Sequence, residues 1–207
     1  MSVLAVARSR LRAGAFLLLL APMLAACGVN TIPTLDEQVK AAWAQVQNQY
    51  QRRADLVPNL VETVRGYASH ERETLEAVVN ARARATQTTL PADILTNPEA
   101  FKRFQESQQA LSSALARLLA VVENYPDLKA NQNFQTLMAQ LEGTENRIAV
   151  ARRDHIAAVQ AYNTEIRTFP GVIWATIFYR DAKVKESFTA EPGAQQVPRV
   201  DFGKRPS

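Results

Sequence analysis

Apolar residues recur along most of the chain at alternating steps of three and four, the spacing that gathers them on one side of an α-helix. The first stripe comprises Leu35, Val39, Ala42, Val46, Tyr50, Val57, Leu60 and Val64, interrupted by a polar turn around Arg53. Thr34 and Glu37 have the spacing of a capping box and place the helix start there. Pro58, inside the stripe, removes a hydrogen bond and crowds the carbonyl of Ala54. That costs about 3 kcal/mol in a helix interior, so a kink is expected. Gly66-Tyr67 offers a clearer stop, because glycine can take the left-handed conformation that ends helices.

A second helix is predicted from its cap at Ser69 to about Gln87, with Glu71 and Glu73 in the first turn and Leu75, Val78, Val79 and Ala83 inward. Thr88 to Asn97 reads as a loop, and Asn97-Pro98 as the start of a third helix. The stripe of that helix, Phe101, Phe104, Gln108, Leu111, Leu115, Leu118 and Val122, has one polar member. Asn124-Tyr125-Pro126-Asp127 breaks the pattern. A last long helix is predicted from about Gln132 to Phe169, with Phe134, Leu137, Leu141, Ile148, Val159, Tyr162, Ile166 and Phe169 inward and Gly143 as a weak point. Phe169-Pro170-Gly171 ends it.

Short connections between long amphipathic helices predict an all-α fold, an antiparallel up-and-down bundle of about four helices. The first long helical region is either kinked at Pro58 or broken near Gly66. A straight rod over residues 35–87 would reach about 80 Å at 1.5 Å per residue, and half of it would lack a partner. The apolar cluster Val172-Ile173-Trp174 with Ile177-Phe178-Tyr179 is short and is expected to cover a bundle end. The domain plan is a bundle over residues 35–180 followed by a mobile tail over 181–207, rich in Pro, Gly and Gln.

Ahead of the bundle, Arg8, Arg10 and Arg12 precede an apolar segment from Ala13 to Met23, then Leu24-Ala25-Ala26-Cys27-Gly28. This is the layout of an exported, cleaved signal over residues 1–26. The stretch resembles the bacterial lipobox, in which the cysteine, here Cys27, takes a diacylglyceryl group and becomes the first residue of the mature chain. Residues 27–34 then form an acylated tether. Each buried methylene contributes about 0.8 kcal/mol, so two or three acyl chains hold a protein on a membrane without a spanning helix. Two other readings stay open. An uncut spanning anchor would need roughly 20 apolar residues where about 14, including Pro22, are present. A coincidental cysteine in an ordinary signal is opposed by Ala25 and Ala26 directly before it. Glycine at 28, where aspartate commonly marks inner-membrane retention, favours the outer membrane.

Charge changes the picture once the signal is removed. Taking its three arginines from the 24 basic residues leaves 21 against 20 acidic ones, a mature chain near neutrality without basic runs beyond Arg52-Arg53 and Arg152-Arg153. Nucleic acid is therefore not an expected partner. With Cys27 acylated no disulfide can form, and about 180 residues suffice to bury a core by packing alone.

Several stretches together carry a family likeness: Leu35 to Val39 with Ala42 to Val46; Gln51-Arg52-Arg53-Ala54-Asp55-Leu56-Val57-Pro58-Asn59-Leu60-Val61-Glu62-Thr63-Val64; Tyr125 to Asn131; Leu141-Glu142-Gly143-Thr144-Glu145-Asn146-Arg147-Ile148-Ala149-Val150-Ala151-Arg152-Arg153; Ala161-Tyr162-Asn163; and Arg167 to Pro170. The chain resembles the LemA family from about Leu35 to Phe178. The resemblance implies a membrane-attached helical bacterial protein and no established reaction. Family members typically carry an N-terminal membrane-spanning helix, which a lipobox replaces here. His155 stands where the family tends to have an aromatic residue, and a ring in a packed position is the simple explanation.

Catalytic and metal motifs are not apparent. His155 has Arg152 three residues before it and His70 has Tyr67, so the Glu-x-x-His pairs of carboxylate-bridged metal sites are missing. No cofactor, metal, catalytic residue or small-molecule substrate is expected. Arg52, Arg53, Asp55 and Asn59, with Glu142, Glu145, Asn146, Arg152 and Arg153, are expected to form either a network that fixes helix register or a partner-docking face. The expected function is a non-catalytic scaffold or adaptor lipoprotein facing the periplasm or cell exterior, binding another envelope protein or its own copies. The alternative is an envelope hydrolase using paired carboxylates.

Overall fold

A computed structural model describes residues 28–87 and 91–189. Among the described residues the fold is all-helical: α1 (Thr31–Arg65), α2 (Arg72–Gln87), α3 (Pro98–Val122), α4 (Pro126–Ala130), α5 (Gln132–Glu165) and α6 (Gly171–Ile177), with a single 3-10 turn at Ile94–Thr96. Cys27, the signal before it, Thr88 to Leu90 and the tail from Ala190 lie outside these residues.

The first helix begins a turn earlier than its sequence suggests. Thr34 does not cap it; its Oγ1 donates to the Asn30 carbonyl (2.8 Å), and Pro33 sits in the first turn, where the missing N–H has no partner to lose. Residues 31–34, expected as part of the tether, are therefore helical. The helix then runs through Pro58 to Arg65 without a break. Pro58 deprives the Ala54 carbonyl of its intrahelical donor, and Arg82 of α2 supplies one through Nε at 2.8 Å.

The chain reverses near Gly66, one of the two alternatives, but not through a left-handed glycine. Gly66 has φ −62, and the turn is closed by the amides of Tyr67 and Ala68, which both donate to the Val64 carbonyl. The second helix starts at Arg72, not from a cap at Ser69. It buries Leu75, Val78, Ala81 and Ala85, while Val79 faces solvent. Two asparagine caps hold the later helices: Asn97 Oδ1 accepts from the Ala100 amide (3.1 Å) and Asn131 Oδ1 from the Phe134 amide (3.0 Å).

Packing follows from these stripes. α1 and α5 run in opposite directions, with the Trp43 ring 5.4 Å from that of His155 and Arg53 paired to Glu145 further along. One apolar cluster joins Val57 to Val64 of α1 to α2, to Leu111 to Val122 of α3, and to Leu128, Phe134 and Leu141. The other joins Ile32 to Tyr50 of α1 to Ile94, Phe101 and Phe104, and to Ile148, Val159 and Tyr162 of α5. Two expectations about the final third are corrected. Phe169 is not inward: it lies past the end of α5 and is 80% exposed. Residues 182–189, expected within the tail, have no helix or strand but lie against the helices, with Phe188 buried in the second cluster.

Candidate functional site

Arg53 occupies a stripe position of α1, between Tyr50 and Val57, and is 1% exposed. Its Nη1 donates to Ser112 Oγ (2.8 Å) and Glu145 Oε1 (3.1 Å), and its Nη2 donates to Gln108 Oε1 (2.7 Å) and the Gln108 carbonyl (3.2 Å). Gln108 in turn donates from Nε2 to the Ala85 carbonyl (3.3 Å), so one guanidinium ties α1 to α3 and α5, and through Gln108 to α2. The guanidinium also lies over the Tyr50 ring at 5.0 Å. This layer separates the two apolar clusters. A buried cation with four acceptors around it tolerates no shift of one helix along another, because each step would strand a charge in the core.

Of the residues expected to form a network, the structure brings together Arg53 and Glu145. Arg152 stands near them, its Cζ 4.7 Å from the centre of the Phe188 ring. Arg52, Asp55, Asn59, Glu142, Asn146 and Arg153 are exposed; Asp55 accepts from Gln51 Nε2 (2.8 Å), and Arg153 lies 3.5 Å from Asp154. Sequence reasoning places Gln108 on the α3 stripe without assigning its role, and misses Ser112. The signal for Arg53 is present, since it falls in step with Val46, Tyr50, Val57 and Leu60.

α3 and α5 stand apart over this layer and leave a groove of about 690 Å³. Gln105, Gln109, Ser112 and Ser113 line one wall and Glu145, Ile148 and Arg152 the other, with Phe188 and Thr189 also at its edge. Its two carboxylates are each beside a cation, Glu145 on Arg53 and Glu106 at 3.9 Å from Lys102. The strap that brings Phe188 here is clamped at Lys185, whose amide donates to Asn163 Oδ1 and whose carbonyl accepts from Asn163 Nδ2, both at 2.9 Å. Lys185 Nζ also pairs with Asp36 at 2.6 Å. Partial burial would raise the Asp36 carboxyl, but hydrogen bonds from Lys185 and Lys40 outweigh it and hold the group below its ordinary value.

His155 is fully buried against the rings of Trp43, Phe101 and Phe188, and neither ring nitrogen has a hydrogen-bond partner. Burial, with a smaller push from Lys185, lowers its pKa to about 4, so it is a neutral packed ring at neutral pH. Among the described residues no cluster of three or more His, Cys, Asp or Glu could hold a metal, and no helix is long and apolar enough to cross a membrane.

Comparison with known proteins places this arrangement among relatives. The chain is 27% identical over 157 residues to magnetosome protein MamQ 2 of Paramagnetospirillum magneticum, which covers 68% of this chain and 58% of that protein. It is 25% identical to magnetosome protein MamQ of Magnetospirillum gryphiswaldense over the same shares. Protein LemA of Metamycoplasma hominis is 23% identical over 140 residues, 68% of this chain and 60% of that one. The chain thus spans less than two thirds of the length of these relatives. A model described as the LemA family matches residues 42–202, a stretch that includes the Arg53 layer, the groove and the strap, and the chain belongs to the LemA family.

Proposed function

We propose that this protein is a non-catalytic scaffold or adaptor of the cell envelope, tied to the membrane by fatty chains on Cys27 and facing the periplasm or exterior, with Gly28 favouring the outer membrane. Its four longer helices are read as one up-and-down antiparallel bundle, opened between α3 and α5. The partner is another envelope protein or a second copy of the chain, and it docks in the groove that this opening leaves.

The observation that carries the reading is the disposition of charge around the groove. Hydrolysis by paired carboxylates needs two acidic groups converging on open space, one of them poised to give or take a proton. Here Glu145 pairs with Arg53 and Glu106 sits beside Lys102, while among the described residues the buried polar ones are Arg53, Gln108, Thr144 and His155, without an acid among them. The groove also presents amides, hydroxyls and the Arg152 guanidinium. Such groups give orientation and specificity to a docked segment.

Photo-cross-linking in intact cells tests this. A cross-linking residue at Gln109 or Ser113 should yield one discrete adduct, to a single envelope protein or to the chain itself, whereas one at Val79 on α2 should not. Equal, diffuse labelling from both faces would contradict docking in the groove. A hydrolytic activity abolished by Glu145→Gln would favour the enzyme alternative.

A further inference from the structure

The last helix has its polarity reversed. Gly171 is buried, Trp174 and Ala175 pack against the second apolar cluster, and the outward positions carry Val172, Ile173 and Ile177. Ile173 is 41% and Ile177 55% exposed, and the flanking Phe169 and Phe178 are 80% and 63% exposed. Half of the large apolar residues exposed on the described chain therefore fall within ten consecutive positions. Contiguous apolar surface of this kind marks a site of contact.

The chain itself indicates what covers it. The described residues begin at Gly28, whose backbone lies against Trp174: a methyl group added there would meet the indole Nε1 at 3.1 Å. Cys27 is bonded to Gly28, so membrane attachment through Cys27 would bring the bilayer close to α6. Arg167, Arg180 and Lys183, all exposed, flank the patch in the sequence, with Glu165 and Asp181 among them.

We infer that the outward face of α6, with Phe169 and Phe178, lies in the lipid–water interface of the anchoring membrane, so that the bundle stands end-on with the Gly66 turn farthest from it. The inference rests on the proposed attachment at Cys27 and adds an orientation to it. α1, with 35 residues, would raise the Gly66 turn about 52 Å along its axis at 1.5 Å per residue. The lipid anchor supplies residence, and α6 supplies a second contact that stops the bundle from swinging.

The test uses the full-length anchored protein in vesicles of phosphatidylethanolamine and phosphatidylglycerol. Because the sole natural thiol is consumed by acylation, Ile173→Cys, Phe178→Cys or Tyr67→Cys can each carry one environment-sensitive dye. Dyes at 173 and 178 should show blue-shifted emission and lose most of it to lipids spin-labelled near the headgroup, while the dye at 67 should behave as in water. Water-like emission at 173 and 178 on vesicle-bound protein overturns the inference. Shielding that follows protein density and ignores the spin-labelled lipid also overturns it, in favour of a second copy on this face. Dye uptake by the unsubstituted chain, or failure of the protein to join vesicles at all, instead overturns the attachment reading.

Discussion

The buried Arg53, with four acceptors around its guanidinium, is the residue proposed to fix how the helices align. Removing it leaves the buried Gln108 Oε1 without its donor, opens a cavity in the core and takes a partner from Ser112 and the half-exposed Glu145. Breaking a buried charged network in this way costs about 3 kcal/mol. Arg53→Ala should therefore lower the melting temperature by many degrees, whereas the exposed neighbour Arg52→Ala should leave it within a degree or two; equal effects of the two would refute the assignment. His155 makes a separate prediction. Its folded pKa of about 4 lies below the ordinary 6.5, so the unfolded chain binds a proton first as pH falls. The stability it secures is complete above pH 6.5 and is lost between 6.5 and 4, about 3 kcal/mol in all. His155→Phe should flatten that part of the melting temperature profile, and an unchanged slope would show that the ring is not held neutral.

At the scale of elements, the continuity of α1 depends on a donor from outside it. Pro58 frees the Ala54 carbonyl and Arg82 takes it, so the two residues should be coupled. Arg82→Met alone is expected to cost about 1.5 kcal/mol, and much less in a Pro58→Ala background, where the restored backbone N–H of residue 58 can donate to the Ala54 carbonyl in place of the guanidinium. Additive losses in denaturant melts would contradict the coupling. The strap depends on Phe188 in the same way. Phe188→Ala should speed hydrogen exchange at the Lys185 and Glu186 amides while leaving the α1–α5 core protected; uniform loss across the bundle would mean the strap is integral to folding.

The helices were legible from the sequence because their stripes, prolines and asparagine caps are local signals. Asn97 and the break at Tyr125-Pro126 required no tertiary knowledge. What stayed hidden depends on distant partners. Thr34 has the spacing of a cap, yet the helix continues past it. Phe188 sits in a segment whose composition suggests a tail, and only the cage of Trp43, Phe101 and His155 folds it inward. Phe169 continues a helical stripe on paper, but α5 ends at Glu165 and the ring turns outward. Within the candidate site, Arg53 and Glu145 could be named as candidates, while their meeting through Gln108 and Ser112 needed the third dimension.

In the proposed reading of the whole molecule, register, groove and reversed last helix belong to one body whose α6 end meets the membrane and whose groove meets a partner. That account depends on how the chain begins. Mass spectrometry of the protein isolated from its own cells, grown with and without an inhibitor of lipoprotein signal cleavage, measures this directly. The account predicts an N-terminal peptide that starts at Cys27 and carries the mass of a diacylglyceryl group, replaced under inhibition by a longer species that retains the signal. A mature chain with an unmodified Cys27, or one that keeps residues 1–26 in untreated cells, would contradict it.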